Sequence, residues 1–117
     1  MHRLLIVDDE LDICDCLRQY FSNMGFAVAS AFSGEEALKR LDQDDSDVIL
    51  LDILLPGISG IEVLRCIKER HPNVRVVMVS ALDKPELRYQ ARRYGAADYI
   101  TKPFDFSETT WASVLAA

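Results

Sequence analysis

Several polar residues in this sequence stand at the ends of short apolar runs, where together they could bind a cation and handle a phosphoryl group. Four runs end in this way, and the residues at their ends are Asp8 with Asp9, Asp52, Ser80 and Lys102. If the runs are parallel strands, their carboxyl ends lie along one edge of a sheet, so these residues would meet in one crevice. Three carboxylates, a hydroxyl and an ammonium suit a hard divalent cation and a phosphoryl group.

The charge of this crevice favours a bound cation. Three carboxylates and one ammonium leave a net charge of about −2, and each pair of like charges 4 Å apart costs roughly 1 to 4 kcal/mol at effective dielectric constants of 80 to 20. A divalent cation would neutralise the site. Mg²⁺ fits because it prefers oxygen ligands and retains several of its waters.

Each of these residues, taken alone, has an ordinary structural explanation. Asp8 and Asp9 could favour the first turn of a helix, and Asp52 could start a turn. Ser80 could cap a helix, and Lys102 could be a solvated surface residue. Only their joint position at strand ends favours a functional interpretation.

Composition limits the classes of protein that this chain can represent. Its 117 residues, half of them hydrophobic, predict a single domain that buries roughly two thirds of its unfolded surface. The net charge of −6 argues against direct nucleic-acid binding, which depends on clustered Lys and Arg.

The cysteines and the amino terminus predict a location in the cytoplasm. Cys14, Cys16 and Cys66 are odd in number and match no zinc or redox motif, which is typical of a reducing compartment. The first ten residues reach acidic positions after only four apolar ones, too few for a signal-peptide core or a membrane span.

The first half of the chain predicts two strand and helix units. Residues 4–7 form an apolar run, and apolar residues at helical spacing follow until Gly25, where a left-handed helix end would need glycine. Residues 26–30 predict the next strand. Ser33 with Glu36 predicts a capping box at the start of the second helix.

The second half repeats the pattern. Residues 47–51, 74–79 and 98–101 predict three more strands, the first of them apolar enough to be covered on both faces. Ser59 with Glu62 predicts a capping box for a third helix that ends before Pro72.

Two further helices complete the predicted elements. The fourth starts near Pro85, at the favoured first-turn position, and closes at Gly95. Asp105 with Glu108 predicts a cap for a last short helix that carries Trp111.

This alternation predicts the fold class. Parallel strands need crossover connections, which are almost always right-handed helices, so the chain should form an α/β doubly wound sheet of five strands and five helices. The sequence holds no glycine-rich dinucleotide or P-loop motif.

Four motifs resemble one known family across the whole chain. They are IVDDE at 6–10, LLDILLPGISG at 50–60, VSA at 79–81 and GAADYITKPF at 95–104. The family that they resemble is the receiver domain of bacterial two-component response regulators. The resemblance implies a flavodoxin-like sheet with strand order 2-1-3-4-5.

The resemblance also implies roles for the crevice residues. Asp52 would accept a phosphoryl group from a sensor histidine kinase. Asp9, Asp52 and the Leu54 backbone carbonyl would bind Mg²⁺ directly, with Asp8 acting through water. Ser80 would contact the phosphoryl group, and Lys102 would pair with it.

Further residues match the family in structural or switching positions. Pro56 and Gly60 fit the expected spacing after Asp52, and the peptide bond from Lys102 to Pro103 is expected to be cis. Tyr99 matches an aromatic residue that turns when Ser80 moves toward the phosphoryl group.

The fourth helix carries a small basic face, and its members are Lys84, Arg88, Arg92 and Arg93. This face is either solvated or, with the last strand and last helix, part of an output or dimer interface, as the resemblance implies. The resemblance also implies that Leu54 and Leu82 match positions at which the family tunes hydrolysis of the acyl phosphate, and we expect their apolar side chains to make it slow.

Two other functional classes remain open from the sequence. A haloacid-dehalogenase-type phosphatase also forms an aspartyl phosphate but needs a second Asp two residues after the first, where this chain has Leu54. A metal-binding scaffold that is never phosphorylated is the other. We expect a phosphoacceptor switch rather than an enzyme, in a receiver domain spanning residues 1–117 that forms the amino-terminal part of a longer regulator.

Overall fold

The computed structural model describes residues 2–116, in which strands and helices alternate along the chain as predicted. The strands are β1 (Arg3–Val7), β2 (Ala27–Ala31), β3 (Val48–Leu51), β4 (Arg75–Ser80) and β5 (Asp98–Thr101). The helices are α1 (Leu11–Asn23), α2 (Gly34–Gln43), α3 (Gly60–Arg70), α4 (Pro85–Arg93) and α5 (Ala112–Leu115).

The strands form one parallel sheet in the order β2-β1-β3-β4-β5, which confirms the doubly wound, flavodoxin-like fold. Each face of the sheet has its own apolar core, and β3 contributes to both. Val48 and Leu50 pack on one face, whereas Ile49 and Leu51 pack on the other, and all four are buried. This double coverage explains why β3 is a continuous apolar run.

Local sequence signals set most of the helix ends. Gly25 and Gly95 have φ angles of 96° and 102°, the left-handed region that favours glycine. The Ser33 hydroxyl accepts a hydrogen bond from the backbone N–H of Glu36, as predicted. The Glu36 carboxylate, however, reaches the N–H of Phe32 rather than that of Ser33.

Two other predicted caps differ from the structure. The Ser59 hydroxyl accepts from the N–H of Glu62, but the Glu62 carboxylate pairs with Arg65 and does not complete a capping box. The prediction that Asp105 caps the last helix was wrong, because α5 begins seven residues later, at Ala112. Asp105 instead accepts hydrogen bonds from the Ser107 N–H and the Thr110 hydroxyl, which close a turn.

Two strands lie one residue later than predicted. β2 occupies 27–31 rather than 26–30, and β4 occupies 75–80 rather than 74–79. Ser80 is therefore the last residue of β4 and not the residue after it. Between residues 2 and 116, no helix is both long enough and apolar enough to cross a membrane.

Candidate functional site

The register of the sheet brings the predicted site residues to one edge. Val7 pairs with Leu51, so the next residues, Asp8 and Asp52, leave neighbouring strands at the same level. The backbone N–H of Asp52 still bonds to the Val7 carbonyl, at 3.0 Å, which fixes the root of its side chain. Asp8 and Asp52 are 2% and 3% exposed, which is unusual for carboxylates and requires a partner.

Lys102 supplies that partner from the end of β5. Its ammonium lies 2.8 Å from Asp8 Oδ2, 2.9 Å from Glu10 Oε1 and 3.0 Å from Asp52 Oδ2. The backbone N–H of Lys102 bonds to the Ser80 carbonyl, and the peptide bond to Pro103 is cis, as expected. We call Asp8, Glu10, Asp52 and Lys102 the charged pocket.

Burial and pairing act in opposite directions on the pKa values of this pocket. Burial raises the pKa of Asp8 above its usual value, although the hydrogen bond from Lys102 opposes this change. Burial alone would lower the pKa of Lys102. The hydrogen bonds to Asp8, Glu10 and Asp52 outweigh burial and raise the Lys102 pKa, so the ammonium remains charged at neutral pH.

Asp52 is held by contacts on both of its carboxylate oxygens. Oδ2 faces Lys102, and Oδ1 accepts a hydrogen bond of 3.2 Å from the backbone N–H of Leu54. Gly60 closes the loop behind it, because a Cβ at this position would lie 2.0 Å from the Asp52 carbonyl oxygen. Gly60, the first residue of α3, thus allows the loop that contains Pro56 to return tightly to the end of β3.

Glu10 is the residue that the sequence analysis missed. Carboxylate oxygens of Asp8, Glu10 and Asp52 lie within 4.8 Å of one another, a spacing that could hold a metal ion. Asp9, predicted as a direct ligand, is exposed and, among the residues that the structure describes, is not part of this group. The acidic run at 8–10 was the available signal, but only the position of Lys102 shows that Glu10 points to the pocket.

Ser80 and Tyr99 lie beside the charged pocket and contact the loop that leads to α4. The buried Ser80 hydroxyl accepts a hydrogen bond from the N–H of Leu82, and the Tyr99 hydroxyl donates to the carbonyl of the same residue. Burial raises the pKa of Tyr99. Both predicted switch residues therefore meet at Leu82.

Arg88 covers Tyr99 from the side of α4. Its guanidinium carbon lies 4.7 Å from the centre of the Tyr99 ring, and its Nε lies 2.6 Å from Asp83 Oδ1. We call residues 81–93 together with Tyr99 the α4 region. The basic residues that were predicted there are all exposed, and they are Lys84, Arg88, Arg92 and Arg93.

Comparison with known proteins gives consistent matches over most of the chain. Residues 4–112 match the family model described as response regulator receiver domain. An uncharacterized transcriptional regulatory protein of Bacillus subtilis, YcbL, is 38% identical over 106 residues, which are 91% of this chain and 46% of YcbL. Sporulation initiation phosphotransferase F of the same organism is 33% identical, over 91% of this chain and 86% of that protein.

Solved structures agree with the sequence matches. The CheX-CheY-BeF3-Mg²⁺ complex of Borrelia burgdorferi contains a chain that is 35% identical, with a TM-score of 0.91 over 98% of this chain and 87% of that one. The chain spans about half the length of the first curated relatives that it matches.

Proposed function

Because this chain belongs to the receiver-domain family of response regulators, which are phosphoacceptor switches of two-component signalling, we propose that its own phosphoacceptor is Asp52. The phosphoryl donor is a phosphohistidine on a sensor histidine kinase. One observation carries the proposal: Asp52 is buried at the sheet edge, yet its carboxylate faces a lysine ammonium and lies close to two further carboxylates. The family membership tells against a phosphatase or an unphosphorylated scaffold.

The transfer step follows from these contacts. A carboxylate oxygen of Asp52 attacks phosphorus, the P–N bond to the histidine breaks, and the imidazole keeps the electron pair and takes up a proton. An acyl phosphate forms on Asp52. The attacking oxygen must first give up its contact with Lys102 or with the Leu54 N–H.

Lys102 and Ser80 stabilise the charge that this step moves. The Lys102 ammonium exchanges its contact with Asp52 for the arriving phosphoryl oxygens, because positioned cations offset transition-state charge in phosphoryl transfer. The Ser80 hydroxyl donates a hydrogen bond to the bound phosphoryl group. Its position at the end of β4, the strand that pairs with β3, supports this role.

The donor set of the pocket fits Mg²⁺. Asp8, Glu10 and Asp52 carry three carboxylates against the ammonium of Lys102, which leaves a net charge of about −2, with the exposed Asp9 next to Asp8, and oxygen is the ligand type that Mg²⁺ prefers. Asp9, Asp52 and the Leu54 carbonyl would hold it directly, and Asp8 through water. When bound, Mg²⁺ supplies positive charge that neutralises the phosphoryl oxygens.

The α4 region transmits the phosphorylated state. Phosphorylation makes residue 52 about −2, and Ser80 moves toward the new group, which breaks its contact with Leu82. Tyr99 and Arg88 then rearrange with the loop. The altered surface of α4, β5 and α5 is the binding site for an output domain, a partner protein or a second copy of the chain.

Leu54 and Leu82 set the lifetime of the acyl phosphate. The Leu54 side chain is 53% exposed next to Asp52 and offers no polar atom to position an attacking water. We expect slow autodephosphorylation. Loss of the phosphoryl group within seconds would contradict this expectation.

The proposal extends to the protein around this domain. The chain acts as the receiver part of a longer regulator in the cytoplasm, and the output of such regulators is often transcription. Relatives that are about twice as long as this chain support the greater length. It promotes only its own phosphorylation and dephosphorylation. It does not itself bind nucleic acid, in keeping with its net charge of −6.

Intact-mass spectrometry after incubation with acetyl phosphate and Mg²⁺ tests the proposal. The wild type should gain one phosphoryl group, and Asp52→Asn should gain none. Asp47→Asn is a matched control, because Asp47 is an exposed carboxylate that precedes the same strand. An equal adduct on Asp52→Asn and on the wild type would refute the assignment.

A further inference from the structure

The loop between β3 and α3 is fastened to the start of α2 by two reciprocal contacts. The side chains of Val63 and Ile58 together fill the place where Gly34 lacks a Cβ, since an added Cβ would lie 2.3 Å from Val63 Cγ2 and 2.8 Å from Ile58 Cγ1. The Glu35 carboxylate in turn covers Gly57, where an added Cβ would lie 2.5 Å from Glu35 Oε2. Glu35 Oε1 also accepts a hydrogen bond of 3.2 Å from the Ile58 N–H.

These contacts bear on Leu54, which lies in the same loop. Leu54 is 53% exposed, so packing of its own side chain does little to fix its backbone. The position of the Leu54 carbonyl therefore depends on the rest of the loop, in which Ile53 is buried and Leu55 packs partly against the core. On one side the Leu54 N–H bonds to Asp52 Oδ1, and on the other the loop is bound by Glu35.

We propose that Glu35 is a positioning residue that holds the β3–α3 loop so that the Leu54 carbonyl can bind the metal ion of the phosphoacceptor site. The proposal rests on the proposed function of that site. Glu35 itself does not touch the charged pocket, and it acts through Gly57 and Ile58. A carboxylate suits this role, because a charged acceptor strengthens a hydrogen bond from a backbone N–H.

Neighbouring residues in the first turn of α2 provide a matched control. Glu35 and Glu36 are both acidic, and each accepts one backbone hydrogen bond. Only Glu35 bonds to the β3–α3 loop, whereas Glu36 bonds to Phe32, which precedes its own helix. Loss of either carboxylate has the same effect on the charge at the helix start, so a difference between them reports the loop contact.

The test is the Mg²⁺ affinity measured by titration calorimetry on the whole chain, together with amide hydrogen exchange at Ile58. Glu35→Ala should weaken Mg²⁺ binding by about 2- to 10-fold, the range expected for one lost hydrogen bond, and speed exchange at Ile58. Glu35→Gln should restore most of the affinity, because an amide oxygen accepts the same bond. Glu36→Ala should lower the melting temperature and leave the affinity at its wild-type value.

The outcomes separate the two proposals. Equal Mg²⁺ affinity and equal Ile58 exchange in the wild type and Glu35→Ala would overturn the role of Glu35 alone. Equal weakening by Glu35→Ala and Glu36→Ala would also overturn it, because the effect would then come from helix charge. A wild type that binds no Mg²⁺ and gains no phosphoryl group would overturn both.

Discussion

The charged pocket and the α4 region lie side by side at the carboxyl edge of the sheet, but they are held very differently. In the pocket, Lys102 bonds to three carboxylates, and its side chain is only 8% exposed. In the α4 region, Ala91 is the sole buried residue of a nine-residue helix, among those that the structure describes. Helix α3, which is only two residues longer, buries four residues, three of them in the core that also contains Ala91.

This difference in packing indicates how a chemical change in the charged pocket can alter the conformation of the α4 region. A region with few buried apolar contacts opens at a lower free energy than a densely packed one. Leu82 of the α4 region lies between the two predicted switch residues, because its carbonyl accepts from the Tyr99 hydroxyl and its N–H donates to the Ser80 hydroxyl. A phosphoryl group in the rigid pocket would therefore shift the loosely packed region first.

Removing the Lys102 ammonium from the charged pocket should have the largest effect on the free energy of unfolding. Lys102→Ala leaves the buried carboxylates of Asp8 and Asp52 without a cation to pair with, which typically costs about 3 to 5 kcal/mol. Lys84→Ala, an exposed change at the start of α4, should stay within about 0.5 kcal/mol of the wild type. Urea denaturation without added metal measures both, and equal losses would contradict the contrast between the regions.

The pH dependence of the same pair of proteins sharpens this prediction. Pairing with the three carboxylates raises the pKa of Lys102 in the folded state. The free energy by which Lys102 stabilises the folded state is therefore fully present below the pKa of an unfolded lysine, about 10.4. It is lost only as the pH rises through the higher folded pKa. The stability difference between wild type and Lys102→Ala should therefore be constant from neutral pH to about pH 10 and should shrink above it.

Core truncations compare the packing of α3 and α4. Leu64 on α3 is fully buried, so Leu64→Ala should cost about 2 to 5 kcal/mol. Leu87 on α4 is only partly buried, and Leu87→Ala should cost less than half as much. Similar losses in thermal unfolding would show that α4 is packed as firmly as α3.

Tyr99→Ala should separate the two regions functionally. Phosphorylation by acetyl phosphate should proceed to the wild-type extent, because Tyr99 contributes no bond to the charged pocket. Exchange of the amides in 81–88 should be about 2- to 10-fold faster, because the bond to the Leu82 carbonyl is lost. Unchanged exchange and unchanged partner binding would exclude Tyr99 from the switch.

Arg88→Gln should have the smallest effect. Its ion pair with Asp83 is solvent-exposed, and such pairs contribute about 0.2 to 1 kcal/mol. The loss should appear as faster amide exchange in the α4 region and not in β1 or β3. Equally faster amide exchange in the α4 region and in β1 and β3 would mean that the α4 region and the sheet open together.

The sequence was sufficient to predict the fold and the residues at the sheet edge. Strand ends at Asp52, Ser80 and Lys102 follow from apolar runs that stop abruptly, and parallel pairing then requires a common edge. The left-handed residues Gly25 and Gly95 were predictable for the same local reason. Signals of this kind depend on neighbours in the sequence.

The contacts that the sequence did not predict join distant elements. Glu10 meets Lys102 across 92 positions, and nothing in the run at 8–10 distinguishes it from a helix-start acid. Asp105 was predicted to cap a helix, but it accepts hydrogen bonds from the Ser107 N–H and the Thr110 hydroxyl and so closes a turn. Which partner such a side chain contacts depends on which groups lie within hydrogen-bond distance once the sheet has formed.

The most direct test of the account is to locate the phosphoryl group in the wild-type chain by tandem mass spectrometry, after brief reaction with acetyl phosphate and Mg²⁺. We predict one phosphoryl group per chain, attached to Asp52 and released by hydroxylamine, as expected for an acyl phosphate. A phosphoryl group on another residue, or a chain that stays unmodified under these conditions, would contradict it.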